Sequence, residues 1–326
     1  MFPLLLFVAA HADDAHPRDA EPLEAPGGVP VAEALEVHAW AGAGWVAHTL
    51  HTGEQVAGPD VRMARMGARV HYDEQGDIFA QFEAADGTAR LLDARVSLEV
   101  GRHLELRAGR MKASTSAEYL IPAPIFHHVN RARLVDWVPK RHVGVEAIVT
   151  PFAPGFDVQA ALFNVAGSEP VEGAGMLAVG RVRFEPVHDL QLHLSWTDHL
   201  PGHSPDPSWQ PEHDQLVDGA IELDHDGWMV HLEGLGRFDH AHNGRGVVTF
   251  ASLAYRFGDD PEGFGVEPVV AIDHIVEEIG VTENAAAGLN LYIHGHKLMQ
   301  LTELELHKLP DGRTDQGIYV QLRGGV

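Results

Sequence analysis

The densest cluster of residues able to do chemistry is basic. Lys112, Arg131, Arg133, Lys140 and Arg141 share one stretch with only two acids, Glu118 and Asp136. The wider window from Arg90 to Arg141 carries net +5 in a chain of net −24. Arginine offers a rigid donor fork that matches phosphate and carboxylate, and lysine a mobile point charge. Set around an opening with low-dielectric walls, such groups attract anions. Arg65, Arg69, Arg95 and Arg107 fall on the polar faces of nearby extended segments and would add a basic wall facing this stretch. The competing expectation is neutralisation. Arg131 or Arg133 would then pair with Asp136, or with Glu99, Glu105 or Glu146 on the wall.

Other constellations carry less. His294-Gly295-His296 and His240-Ala241-His242 place two imidazoles on one strand face, but no carboxylate pair completes a ligand set, so no metal or other cofactor is expected. His127 and His128 lie inside the basic stretch, where protonation would add positive charge. Ser195 and His193 share a face two residues apart, yet no nucleophile elbow, oxyanion motif or phosphate-binding loop accompanies them. Catalysis therefore has no support in the sequence.

Composition narrows the field further. Acidic residues outnumber basic ones 47 to 23, which argues against a nucleic-acid binder. There is no cysteine, so disulfides and thiolate metal sites are excluded. The 23 histidines make net charge climb steeply as pH falls through about 6.5. No apolar run reaches the ~18 residues of a membrane helix, but a membrane β-strand needs only about ten, with every second one apolar.

Residues 3–10 form a short apolar run, followed by Ala10-His11-Ala12 and then Asp13-Asp14. This reads as a signal peptide over residues 1–12, cut after Ala12. Residues 13–33, acidic and rich in alanine and proline, read as a flexible leader.

From residue 34 onward the pattern has period two. Ala94, Val96, Leu98 and Val100 oppose Asp93, Arg95, Ser97 and Glu99. Leu190, Leu192, Leu194 and Trp196 oppose Gln191, His193, Ser195 and Thr197. Ile318, Val320 and Leu322 oppose Tyr319, Gln321 and Arg323. Each is a strand with one apolar face. About sixteen such segments span residues 34–326. The segment around 297–307 alternates poorly, and Glu277-Glu278 reads as loop. Connections alternate in length: short at 100–102, 151–155, 185–189 and 224–227, long at 51–60, 113–140, 166–174 and 199–214. An up-and-down barrel with tight periplasmic turns and long outer loops has this form. Charge on one face of so many strands would be costly in a packed core and cheap in a water-filled lumen. The fold class expected is all-β: a closed, antiparallel, transmembrane up-and-down barrel. Trp40, Trp45, Tyr72, Trp196, Trp228, Tyr255 and Phe257 lie near strand ends as candidates for interfacial girdles.

Residues 91–167 carry a resemblance. Ala108-Gly109-Arg110-Met111-Lys112 closes a strand, and Glu118-Tyr119-Leu120 and Arg133 follow in the long loop. Lys140-Arg141-His142-Val143-Gly144-Val145 opens the next strand, and Leu162-Phe163-Asn164 ends its hairpin. With the arginine-rich segment 61–67, this resembles the phosphate-selective porin O and P family of bacterial outer membranes. The resemblance implies a sixteen-stranded homotrimer whose third outer loop folds into the lumen, with lumenal Arg and Lys selecting anions. Met63 stands where that family commonly has arginine, and the overall acidity departs from it.

The expected function is passive diffusion of small hydrophilic solutes across the outer membrane of a Gram-negative bacterium, with anions, phosphate among them, favoured by the loop 113–140. Tyr119 and Trp137 would pack that loop against the barrel. Partners are the solutes or anions, the lipid and further copies of the chain, with no nucleic acid. The alternative is a non-conducting all-β periplasmic or surface protein that binds a ligand.

Overall fold

The computed structural model describes residues 23–24, 30–32 and 34–325, except 74, 86–87, 123–125, 151–154, 165–174, 201–214, 240–243, 259–262, 279 and 295–296. The expected signal peptide, most of the leader and the 240–242 histidine pair lie outside the described residues. So does His296 of the second pair. Within the leader, Leu23–Glu24 pairs antiparallel with Pro30–Ala32.

The barrel strands are β1 (Ala34–Thr49), β2 (Gln55–Asp73), β3 (Gly76–Ala85), β4 (Thr88–Val100), β5 (Leu104–Lys112), β6 (Arg141–Val149), β7 (Phe156–Asn164) and β8 (Met176–Val187). They continue as β9 (Leu190–Leu200), β10 (Gln215–His225), β11 (Trp228–Asp239), β12 (Gly244–Tyr255), β13 (Gly265–Glu277), β14 (Gly280–His294), β15 (Leu298–Lys308) and β16 (Thr314–Gly325). Each pairs antiparallel with its sequence neighbours, and β16 closes on β1 from Gln316↔Thr49 to Gly325↔Trp40. Closure leaves no sheet edge, the condition for crossing lipid with strands. The weakly alternating segment near 297–307 is a regular strand with Met299, Leu301, Glu303 and Glu305 buried on one face.

The long connections 113–140, 165–175 and 201–214 all leave one end of the barrel. The opposite end has the tight turns 101–103, 188–189 and 226–227. Two differences from the expected spacing appear. The 51–60 loop shrinks because β2 already begins at Gln55, with Pro59 inside the strand opposite Trp45. Residues 256–264 make a longer connection at the tight-turn end, steadied by a bridge between Phe257 and Val266.

The faces divide as the alternation requires. On β9, Leu194 is 59% exposed while Ser195 is 2% exposed. On β16, Ile318 is 52% exposed and Arg323 3%. Outward positions across the wall are Leu, Val, Ile, Phe and Ala; buried inward positions include Gln81, Glu83, Asp93, Ser97, Glu146, Asp218, Glu267 and Asn290. An apolar outside and a polar inside is the arrangement lipid and water select together, the architecture of a Gram-negative outer-membrane barrel. Trp228, Tyr255 and Phe257 pack in sequence on the tight-turn rim, tilted and then edge to face, with successive ring centroids 4.6 Å apart, as an interfacial aromatic patch. Trp40 does not join a girdle. It shares the inward face of β1 and stacks on His38 at 5.1 Å. The side chain of Tyr72 is not described.

Two bulges re-aim residues at the lumen. The register shift opposite Gly42/Ala43 leaves Arg62 extra in β2, and the shift at Gln81/Phe82 leaves Leu92 extra in β4. Gly109 and Gly144 face each other on β5 and β6. A Cβ on Gly109 would lie 2.2 Å from the Ala94 carbonyl oxygen, and its φ of +131° suits only glycine. The backbones can therefore approach here without filling the lumen.

Candidate functional site: an inward-folded loop between two walls

The connection 113–140 turns into the barrel. Ser116 caps a single helical turn, Ala117–Leu120, by accepting the Tyr119 amide at 3.0 Å. A 3-10 turn, Arg133–Asp136, follows. Leu134 is fully buried with Tyr119, Ala132, Val135 and Val138 against Leu216, Leu235, Val248 and Phe250 of β10–β12, and Trp137 packs on this cluster. These wall residues are apolar at inward positions. They break the polar rule where the loop rests, and the contact removes apolar surface from water.

Around this apolar anchor the loop binds a ring of wall carboxylates. Glu233 of β11 accepts the Glu118 amide at 2.8 Å. On β13, Glu267 accepts from His127 Nδ1 at 3.0 Å and Asp273 accepts the Arg133 amide at 3.2 Å. On β15, Glu303 accepts from His128 Nδ1 at 2.9 Å, and Glu305 from Asn130 Nδ2 at 2.5 Å. Asn290 and Arg323 donate to the His127 and Phe126 carbonyls at 2.7 and 2.8 Å. Beneath the loop, His231 bridges Glu222 and Glu233 at 3.1 and 2.7 Å. His193 and Ser195 take different partners: His193 donates to Glu222 at 2.8 Å, while Ser195 Oγ donates to the Thr115 carbonyl at 3.2 Å.

The basic residues separate into three groups. The first staples the loop. Arg131 donates to the Glu118 and Ile121 carbonyls, the latter at 2.6 Å, and lies over Phe126. Lys112 donates to the Tyr119 carbonyl at 2.5 Å, Lys140 donates to the Val135 carbonyl, and both lie over the Tyr119 ring. The second group is ion-paired on the wall: Arg65 with Glu83 at 2.7 Å, Arg107 with Glu105 at 2.6 Å and Arg141 with Asp93 at 3.1 Å. The third faces the lumen with weak or no neutralisation. Among the described residues the Arg133 side chain, 43% exposed, has only a 3.9 Å ion contact, with the exposed Asp136, and Arg69 lies 3.7 Å from Asp77. Arg95 has no hydrogen bond or ion pair among the described residues and rests over Phe79. The nine expected residues are therefore not one anion-facing cluster. Spacing could not show that Arg131, Lys112 and Lys140 turn toward the loop's own carbonyls. Glu277, read as loop, ends β13 and pairs with Arg237 at 3.3 Å.

The carboxylates Glu233, Glu267, Asp273, Glu303 and Glu305, with Arg323, are the wall positions that hold the loop, and the basic cluster concealed them. Each sits at an inward position of an alternating strand, which is a readable signal. Their partners lie more than a hundred residues away along the chain, which is not. The lumen thus has arginines interleaved with carboxylates along β2–β6, and carboxylates bonded to histidines and loop amides along β10–β15.

His127 and His128 point at acids and not into open solution. Burial pulls His128 down, but the hydrogen bond and charge of Glu303 outweigh it and hold His128 above its ordinary 6.5. Burial pushes Glu118 above the usual carboxylate range, against His231 and Arg131. The histidine's raised value stabilises the seated loop fully below about pH 6.5 and is lost as pH rises through the raised value. The carboxyl's raised value favours its neutral form, so its burial also becomes less favourable as pH rises. Single-channel current should therefore become noisier between neutral and alkaline pH. His128→Gln should flatten that dependence, and unchanged alkaline noise in the variant would contradict it.

No protein-family model matches the chain, and no curated protein matches it. Solved structures do. An anion-selective porin from Comamonas acidovorans superposes with a TM-score of 0.71 at 11% identity, over 90% of this chain and 99% of that one. OmpF of Salmonella typhi, in complex with daunomycin, gives 0.65 at 12% identity, over 90% and 98%. In-vitro folded OmpT of Vibrio cholerae, in its trimer form, gives 0.55 at 10% identity, over 90% and 99%. The class that the fold defines is the porin barrel. Membership of the phosphate-selective O and P family has no support beyond the resemblance of residues 91–167.

Proposed function

We propose that this protein is an outer-membrane porin. Small hydrophilic solutes cross it by passive diffusion, and anions pass more readily than cations. The observation that carries this reading is the loop 113–140 held inside a barrel that is apolar outside and polar inside. A loop tied to carboxylates at five wall positions narrows the lumen without closing the membrane. The loop's cations and the arginines of β2–β5 surround the remaining path, and Arg69, Arg95 and Arg133 are the ones left to meet a passing ion. No bond chemistry is required. Phosphate suits the guanidinium fork as one anion among several. Residues 1–12 serve as the export signal in this reading, and the functional unit is a homotrimer in the lipid.

Liposome swelling tests the channel itself. Vesicles carrying the refolded protein should swell in small sugars and not in large oligosaccharides. Vesicles that never swell, with a folded barrel, would favour a non-conducting ligand-binding protein. Arg133→Gln tests the charge. One unit charge at contact distance in water acts with about 1 kcal/mol, so the anion-to-cation permeability ratio should fall roughly fivefold. An unchanged ratio would remove Arg133 from the pathway.

A further inference from the structure

The lumen holds a second feature, below the loop and near the tight-turn end. Arg69, His71, Asp77, Arg95, Ser97 and Glu99, with Glu105 and Arg107, line a polar cavity of about 280 Å³. Most of its charges are matched. Arg107 holds Glu105 through two nitrogens at 2.6 and 2.9 Å, and Arg69 lies near Asp77. Two are not. Arg95 has no hydrogen bond or ion pair among the described residues, feels the like charges of Arg107 and Arg69 as well as the opposite charges of Asp77 and Asp93, and has its Nε buried without a partner among those residues. Glu99, exposed on the same strand face, has no ion pair among the described residues and lies directly across from Glu105, whose charge Arg107 already holds. Ser97 sits between them, 3% exposed, and its hydroxyl has no partner among the described residues.

Arg95 and Glu99 do not neutralise each other. Four residues of strand separate their Cα atoms by about 13 Å. A buried guanidinium Nε and a buried hydroxyl without partners are both unfavourable unless something else supplies the bonds. A plain anion would satisfy Arg95 and Ser97 and leave Glu99 unpaired. A molecule with a carboxylate at one end and an ammonium at the other would satisfy all three. Gly109, directly across from Arg95, adds no side chain to obstruct it.

We propose that this cavity is a binding site for zwitterions of short-peptide size. The carboxylate would lie on Arg95 and Ser97, and the ammonium on Glu99. A tripeptide, at up to ~3.6 Å per residue, spans the distance that two converging side chains leave. The site would concentrate such solutes at the inner mouth of the channel. The inference rests on the open channel proposed above and adds a preference that anion attraction alone would not give.

The test is calorimetric titration of the full-length refolded protein, with current block in planar bilayers as a second readout. The probes are triglycine, its C-terminal amide, its N-acetyl form and inorganic phosphate. Triglycine should bind at least about tenfold tighter than either blocked form, since each lacks one charge-assisted contact. Arg95→Gln should remove the advantage over the amide, and Glu99→Gln the advantage over the acetyl form. Equal binding of the N-acetyl peptide or of phosphate would overturn the proposal in favour of a simple anion site. Absence of binding by any probe, in a protein that still passes anions, would overturn it and leave the porin reading standing. A protein that does not conduct would instead remove the porin reading.

Discussion

Glu303→Ala is expected to release the constriction loop and raise single-channel conductance. Glu303 is 2% exposed and accepts from His128 Nδ1, with the Val129 and Asn130 amides at 3.4 Å. Its removal strands a buried imidazole and two amides. Breaking a buried pair from one side costs about 3–5 kcal/mol, which shifts the balance between seated and released loop by roughly 10²–10⁴. The wall itself should survive, because the β14–β15 and β15–β16 ladders are made by backbone groups. Conductance and proteolysis within residues 113–140 would both report release. A variant with wild-type conductance and a protected loop would contradict this account of how the loop is held.

Leu134→Ala should act on the same equilibrium through packing. Leu134 is fully buried against Leu216, Leu235, Val248 and Phe250. A Leu to Ala change at such a position costs about 2–5 kcal/mol, depending on how far the site collapses. Arg133 is the next residue of the same turn and moves with the loop, so conductance should rise and anion preference should fall toward what Arg69 and Arg95 on the wall sustain. Because both substitutions report one seated state, the double variant should raise conductance by less than the two single effects combined. Fully additive effects would mean that the apolar anchor and the carboxylate ring hold separate parts of the loop.

The wall was legible because two solvents enforce the alternation. Residues 190–197 and 318–323 could be sorted into lipid and lumen faces by parity alone, and the structure sorts them the same way. The limits 113–140 of the long loop could be read for the same reason, since strand pattern stops at Lys112 and resumes at Arg141. Parity also explains a miss. Trp40 and Trp45 are five apart on one strand, so they take opposite faces, and Trp40 turns inward. Pro59 and Gly53 made 51–60 resemble a loop, whereas β2 tolerates the proline within it. The fate of the cations was hidden for a different reason. Whether Arg131 meets solvent or the Glu118 carbonyl depends on a loop conformation fixed by acids on β11, β13 and β15. Sequence shows that those acids face inward and does not show what they hold.

The zero-current potential of the refolded protein in a planar bilayer, under a potassium chloride gradient, tests the central claim most directly. The account predicts a potential of the sign that marks chloride as the more permeant ion, reduced at high ionic strength as fixed charges are screened. A cation-selective potential would contradict it. The carboxylates of β10–β15 would then govern the lumen, with the arginines of β2–β6 serving only to hold the loop and the wall together.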